Sequence, residues 1–337
     1  MRIIIIGGGP AGMSCALWLD NMGYIPYLVE EKDDLGGMLN NNHYNNNSVL
    51  CEPTITNEAL RKKMVSHISS SRAKIFTHTK IKKIRPISSG HRVEFSVHSE
   101  GKHANEINNT KFDRIVIATG TRVRGKTWLL NKIGETSSST DIIRNTYIGP
   151  LSMQDELDNL ANIKDNNHRK KRWLVVGGGA NAVDVACRLS GHKEHIILCA
   201  RSDWKDCPPN LLKNLNRLQR KRSINIINPC TITEVNIASD AGHLLSISTE
   251  DNGHLLADKL VIMFGFQPNS DEIFVLQKNI NVAIDGCYLT DKKFSTNLPG
   301  VFAIGDVSNS GAHCISSAMG AGAVAAKNIL FLSSHGD

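Results

Sequence analysis

The chain has no pair of cysteines spaced closely enough to form a local dithiol. Its eight cysteines are Cys15, Cys51, Cys187, Cys199, Cys207, Cys230, Cys287 and Cys314, and neither CxxC nor CxxxxC occurs. No cysteine–histidine spacing suits zinc, so no residue is assigned to a metal. Each cysteine reads by default as a small buried apolar residue. Aromatics are scarce, at 5% of 337 residues, and none is interleaved in the basic clusters RKK (61–63) and HRKKR (168–172). These clusters read as solvated faces, and with a net charge of only +7 no nucleic-acid partner is expected. Long apolar runs are missing as well. None approaches the roughly eighteen residues of a membrane span, so no membrane partner is expected. No leader is evident: the first strand begins directly after Arg2, and cleavage would remove the first glycine turn. A cytoplasmic protein with reduced thiols is the expectation. The apolar and charged fractions, 41% and 21%, are those of a globular protein, and the length accommodates two domains.

What the chain does have is glycine in two similar settings. The stretch IIIIGGGPAGMSCA (3–16) gives a short apolar strand, a turn and the start of a helix. Gly7, Gly9 and Gly12 match GxGxxG, with Pro10 and Ala11 between the last two. The first glycine permits a tight turn, the second admits a pyrophosphate, and the third lets the helix pack closely. The helix then aims its first amides at the phosphates. A second strand, YIPYLVE (24–30), ends in Glu30, followed by Glu31. An acidic group about twenty residues after the turn is placed to bind ribose hydroxyls. Strand, turn, helix, strand and acid in that order make the signal specific for a dinucleotide.

The second setting is LVVGGGANAVDVA (174–186), with Gly177, Gly179, Asn181 and Ala182 in GxGxxA form. Its following strand, HIILCARSD (195–203), ends without the carboxylate of an NAD site and offers Arg201 and Ser202 instead. A guanidinium pairs with a 2′-phosphate that a carboxylate would repel. NADPH is therefore the expected nicotinamide nucleotide, with NADH possible.

Three further segments complete the pattern. DLGGM (34–38) places Gly37 and Met38 where a chain passes a flat ligand, and DRIVIATGTRVR (113–124) is another strand ending in small residues. Residues 298–326, LPGVFAIGDVSNSGAHCISSAMGAGAVAA, give a strand, then Gly305-Asp306, then a small-residue helix. Together with both glycine turns, these segments resemble the two-dinucleotide-domain flavoproteins, and among them the thioredoxin reductase-like enzymes, over nearly the whole chain. The resemblance implies an α/β protein of two Rossmann-like, doubly wound domains. The FAD domain would comprise residues 1–122 and 266–337, and the inserted NAD(P)H domain residues 123–265, with a small antiparallel insertion near HRVEFSVHS (91–99). It implies that Ala118, Thr119 and Gly120 cross back to FAD and that Asp306 binds the ribityl chain. His313 and Cys314 would lie by the flavin, where the backbone amide of Cys314 could stabilise negative charge. A homodimer is also implied.

The asparagine-rich NNNHYNNN (40–47) reads by composition as a solvent-facing loop, whereas the resemblance implies that one of its amides, Asn42, touches the flavin. The interval before the second glycine turn, where thioredoxin reductases carry CxxC, contains no cysteine. That departure resembles the cysteine-less ferredoxin–NADP reductases of the same family. Cys51 is the best remaining thiol, although no basic neighbour or helix start activates it, and a catalytic role is not expected. Two nucleotide sites make sense because a hydride moves from nicotinamide to flavin only when the rings stack. The expected function is an FAD-dependent NAD(P)H oxidoreductase serving a small-molecule or small redox-protein acceptor. Ferredoxin or flavodoxin, a quinone, a small disulfide and oxygen stay open as acceptors, and the alternative is a non-turnover flavin sensor or binding module.

Overall fold

The computed structural model describes residues 1–40, 45–89, 92–134, 138–162, 170–204, 207–238, 244–251, 253–275 and 279–335. The chain forms two compact units, one of Met1–Arg122 with Gln267–Asp337 and the other of Val123–Phe266. The second crossing thus falls one residue beyond the expected boundary.

The first unit is built on a five-stranded parallel sheet. Its order is Val301–Ala303, Arg114–Ile117, Ile3–Ile6, Tyr27–Val29, Lys74–Phe76. All four isoleucines of the first strand are buried, as a central strand covered on both faces requires. Alternation sends Ile3 and Ile5 into one core and Ile4 and Ile6 into another. On the Ile3/Ile5 side lie the helices Pro10–Asn21, Asn57–Ser69 and Ile315–His335. On the Ile4/Ile6 side an antiparallel meander of Thr79–Ser89, Arg92–Gly101 and Lys111–Phe112 contributes Ile81, Ile84, Phe95, Val97 and Phe112. Each fully buried isoleucine or phenylalanine stabilises the unit by roughly 1.5–3 kcal/mol.

The last helix explains its own composition. Ser14 Oγ donates to Met319 O at 2.8 Å, and a Cβ on Gly322 would lie 2.5 Å from Ala11 O and 2.7 Å from Cys15 N. Only small residues let the two helices approach so closely. The sequence shows no unbroken apolar run, yet Ile315–Ser334 is long and apolar enough, by length and composition, to cross a membrane, with mean hydropathy 1.4. The run is carried by alanines interrupted by glycine and serine, and Ala321, Ala325, Ala326 and Ile329 are buried in the unit's core.

The second unit repeats the plan. Its parallel sheet has the order Thr146–Ile148, Lys259–Ile262, Arg172–Val176, His195–Cys199, Ile224–Ile227. Trp173 and Val175 face the helices Gln154–Asn162, Ala180–Gly191 and Pro209–Arg220. Leu174 and Val176 face a second meander of Ile232–Ile237, Leu245–Thr249 and His254–Ala257. That meander is additional to the single antiparallel insertion expected. In both units the first strand of the motif is central and flanked by strands reached in opposite directions, which opens a crevice at the strands' carboxyl ends. The chain is therefore an α/β protein of two Rossmann-like units.

Candidate functional site

In the first unit the strand Ile3–Ile6 delivers the glycine turn to that crevice. Gly7 has φ +116°, and a Cβ there would sit 2.2 Å from Ala118 O, so the position tolerates only glycine. Its N–H donates to Val29 O at 2.8 Å, and Ala118 N–H donates to Ile6 O at 2.8 Å, tying three strand ends together. Gly12 meets the same constraint from the helix side, since its Cβ would fall 2.0 Å from Gly7 O. It packs the turn and does not line the cavity. Gly9 is the open member, facing Gly37, where a Cβ would still be 3.9 Å from the nearest atom.

Glu30 is 7% exposed yet has two fixed partners. Its carboxylate accepts Gly8 N–H at 2.8 Å and Lys32 N–H at 2.9 Å. Each oxygen keeps lone pairs free, so the group is held in place and can still accept two ribose hydroxyls. Around it opens a cavity of about 540 Å³, within the range of ligand sites. Gly7, Gly9, Pro10 and Ala11 line it from the turn, and Glu30, Glu31, Gly37 and Met38 from the next strand and loop. Ala118, Thr119 and Gly120 line it from the third segment, and Gly305, Asp306, His313 and Cys314 from the fourth. Fifteen residues named from sequence thus converge on one cavity. Asn42, also named, lies outside the described residues.

Electrostatics differ along the walls. Burial raises the Asp306 carboxyl, and the nearby charge of His313 opposes that rise. Among the described residues no hydrogen bond reaches the Asp306 carboxylate, which leaves it available to a ligand hydroxyl. Cys314 is exposed at the start of the helix Ile315–His335. Its hydrogen bond with the Ser317 hydroxyl, then the Ser317 N–H donated to Sγ at 3.5 Å, hold the thiol below its ordinary range. The other cysteines with a clear shift move the opposite way: burial pushes Cys15 up to about 12 and Cys187 and Cys287 up to about 11. Cys51 is exposed, has φ +71°, and is not among the cavity's lining residues. The structure therefore places Cys314, and not Cys51, as the thiol at the cavity.

Sequence reasoning missed part of the wall. Asn45, Asn46, Asn47 and Ser48 line the cavity, and with Asn45, Asn47 and Ser48 exposed the described part of the asparagine-rich stretch faces solvent at the cavity's edge. Asn46 is fixed because its Nδ2 donates to Asn57 Oδ1 at 2.9 Å while its Oδ1 accepts Ser48 N–H at 3.0 Å. Lys80, Asn269 and Glu272 were missed too. They come from distant segments, and only the folded chain brings them together.

In the second unit Gly177 N–H donates to Cys199 O at 2.9 Å, and a Cβ at Gly177 would lie 2.4 Å from Met263 O. Trp204 Nε1 donates to Gly177 O at 3.0 Å from a buried position and pins the turn to the next strand's end. Ala182 is buried under the turn, whereas Asn181 and the open Gly179 face outward. Arg201 and Ser202 are both exposed just past the strand His195–Cys199. Among the described residues no ion pair or hydrogen bond engages the Arg201 guanidinium.

The first unit's features fit an FAD: an open glycine at the pyrophosphate position, a fixed buried carboxylate for a ribose, and a free carboxylate further along. Comparison with known proteins agrees. Residues 1–322 match the family model described as pyridine nucleotide-disulphide oxidoreductase. The F component of alkyl hydroperoxide reductase from Staphylococcus aureus is 26% identical over 339 residues, covering 97% of this chain but 58% of that protein. The F component from Staphylococcus epidermidis is also 26% identical, over the same shares of each chain. The chain thus spans little more than half the length of these curated relatives. The thioredoxin reductase of Lactococcus lactis superposes with TM-score 0.72 at 22% identity, over 99% of each chain. The bacillithiol disulfide reductase of S. aureus superposes with TM-score 0.68 at 15% identity, over 100% of this chain and 99% of that one. At such identities the likeness is one of fold. With the family model spanning nearly the whole chain and both glycine turns built as it requires, the chain belongs to the pyridine nucleotide-disulphide oxidoreductases, a family of flavin-dependent enzymes that use FAD and NAD(P)H.

Proposed function

We propose that the protein is an NADPH-dependent FAD oxidoreductase that passes electrons to a small-molecule or small redox-protein acceptor without a dithiol relay. The observation that carries this reading is the convergence of the first glycine turn, Glu30, Ala118–Gly120 and Gly305–Asp306 on one cavity. Bound there, FAD supplies hydride acceptance from the nicotinamide and electron donation to the acceptor. The protein's own part is positional. Gly9 and the helix start receive the pyrophosphate, Glu30 holds the adenosine ribose, and Asp306 holds the ribityl chain. In the second unit Gly177 and Gly179 open the turn for the nicotinamide nucleotide. Arg201, exposed and without a partner among the described residues, supports NADPH over NADH. Steady-state NADPH oxidation against ferredoxin, flavodoxin, quinones, small disulfides and oxygen tests the reading. Turnover with at least one acceptor is expected in the wild type and in Cys51→Ser alike. No turnover with any would favour a non-turnover flavin sensor.

A second reading, disulfide reduction through a single thiol, is favoured by Cys314, whose thiol is exposed, lowered and at the cavity wall. Its thiolate would open a small disulfide, forming a mixed disulfide and releasing one thiolate. Two electrons from NADPH would then free the second thiolate and restore Cys314. Loss of disulfide turnover in Cys314→Ser, with quinone turnover retained, would select this reading. Equal disulfide turnover in the variant would remove it.

A further inference from the structure

Beyond the ribose carboxylate, the cavity wall is closed by charge. Lys80, on the strand Thr79–Ser89, places Nζ 2.5 Å from Glu31 Oε2 and 3.5 Å from Glu272 Oε2. Glu272 Oε1 is in turn 3.6 Å from Arg122 Nη1, and Arg122 grips Asp271 through two bonds of 2.6 and 2.7 Å. The same guanidinium donates to Asn269 Oδ1 at 3.0 Å, and Asn269 Nδ2 donates to Thr119 O at 2.8 Å. The run therefore starts one residue after Glu30 and ends on the segment carrying Thr119 and Gly120. Glu31, Lys80, Asn269 and Glu272 all line the cavity.

Three features single out Lys80. It is the only cation in this run between two carboxylates that both line the cavity, so removing it would leave them facing each other. Its side chain is 35% exposed, between Glu31 at 39% and Glu272 at 27%, so the bridge lies at the cavity's edge, where salt can reach it. The Glu31 hydrogen bond, the largest influence, holds its ammonium above the ordinary lysine range, so it is charged at neutral pH. Because the ammonium is already shared between two carboxylates, it is poorly placed to serve as an anion site. Its role is to hold the wall.

We infer that Lys80 is a positioning residue for FAD, clasping Glu31 to Glu272 and so closing the wall around the adenosine half of the cofactor. The inference rests on FAD lying with its adenosine ribose at Glu30. It makes a distinction that a general role in folding would not make. FMN lacks the adenosine half, so its binding is independent of the clasp, whereas FAD binding depends on it.

The test titrates apoprotein with FAD and with FMN by flavin fluorescence, at low and high ionic strength, for wild type, Lys80→Met and Lys80→Arg. Two half-exposed ion pairs predict that Lys80→Met weakens FAD by roughly three- to tenfold at low salt. The wild type should approach the variant at high salt, FMN binding should be the same in both, and Lys80→Arg should recover most of the FAD affinity. Equal FAD affinity in wild type and Lys80→Met would overturn the clasp. So would a parallel loss of FMN, which would mark a structural defect. A wild type that binds no FAD at all would overturn the placement of the cofactor and the clasp with it.

Discussion

Replacing Arg201 by alanine probes the choice of nicotinamide nucleotide. The residue follows the buried Ala200 at the end of the strand His195–Cys199, and both Arg201 and Ser202 are exposed. A hydrogen bond to a charged group is worth about 1.5–3 kcal/mol when well sheltered. Solvent around Arg201 lowers that figure, since exposed ion pairs contribute about 0–1 kcal/mol. A phosphate carries more charge than a carboxylate and accepts both arms of the guanidinium, so a value near 1–2 kcal/mol is expected, about five- to thirtyfold in affinity. Among the described residues the guanidinium has no protein partner, so its removal leaves no described carboxylate stranded. Anaerobic stopped-flow reduction of the flavin over a range of NADPH and NADH concentrations gives both dissociation constants. The NADPH constant should rise by that factor at low ionic strength and by less at high, with NADH nearly unchanged. Equal weakening of both nucleotides would refute the assignment of Arg201 to the 2′-phosphate.

Three other outcomes follow from the geometry. Gly322→Ala forces a Cβ to within 2.5 Å of Ala11 O, so it should destabilise the protein by roughly 1–3 kcal/mol in denaturant unfolding; unchanged stability would mean the helices are less closely packed. Burial raises the Asp306 carboxyl above its unfolded value, so the folded apoprotein is favoured by protonation and loses that contribution as pH rises through the folded value. Asp306→Asn should therefore raise the melting temperature of apoprotein at neutral pH, with the gain vanishing in acid, while weakening FAD. A variant apoprotein melting lower at neutral pH would contradict this. The lowered Cys314 thiol should be alkylated by iodoacetamide in a pH profile whose midpoint lies below that of an ordinary cysteine; mass spectrometry of the modified peptide reads it, and a midpoint at or above the ordinary value would contradict the Ser317 contacts.

The fold was legible where local pattern dictates it. Four consecutive isoleucines followed by Gly7 leave few alternatives to a central parallel strand entering a tight turn, and the same holds for Trp173–Val176 before Gly177. The meander Ile232–Ile237, Leu245–Thr249, His254–Ala257 was missed, although alternation in LSIST, buried at Leu245, Ile247 and Thr249, marks a half-buried strand. The convergence of Glu30, Asp306 and the ATG segment was readable because each sits at a strand end with its own signature. Lys80 and Glu272 carry none: the contact joins residues nearly two hundred positions apart, and only the sheet order brings them together. Asparagine-rich composition marks the exposed loop but not its place at the cavity, for a related reason. Polar residues fill solvent loops and polar cavity walls alike, and the Asn46–Asn57 hydrogen bond that separates the two cases is tertiary. The lowered thiol of Cys314 likewise depends on Ser317 folding back over it, which spacing in the chain suggests only weakly.

The central claim is that one chain binds both nucleotides productively, and it is tested most directly by adding NADPH to the FAD-loaded protein without oxygen. The account predicts rapid bleaching of the yellow flavin absorbance, with NADPH oxidised in equal amount and no thiol consumed. Flavin that stays oxidised for minutes under excess NADPH would contradict it.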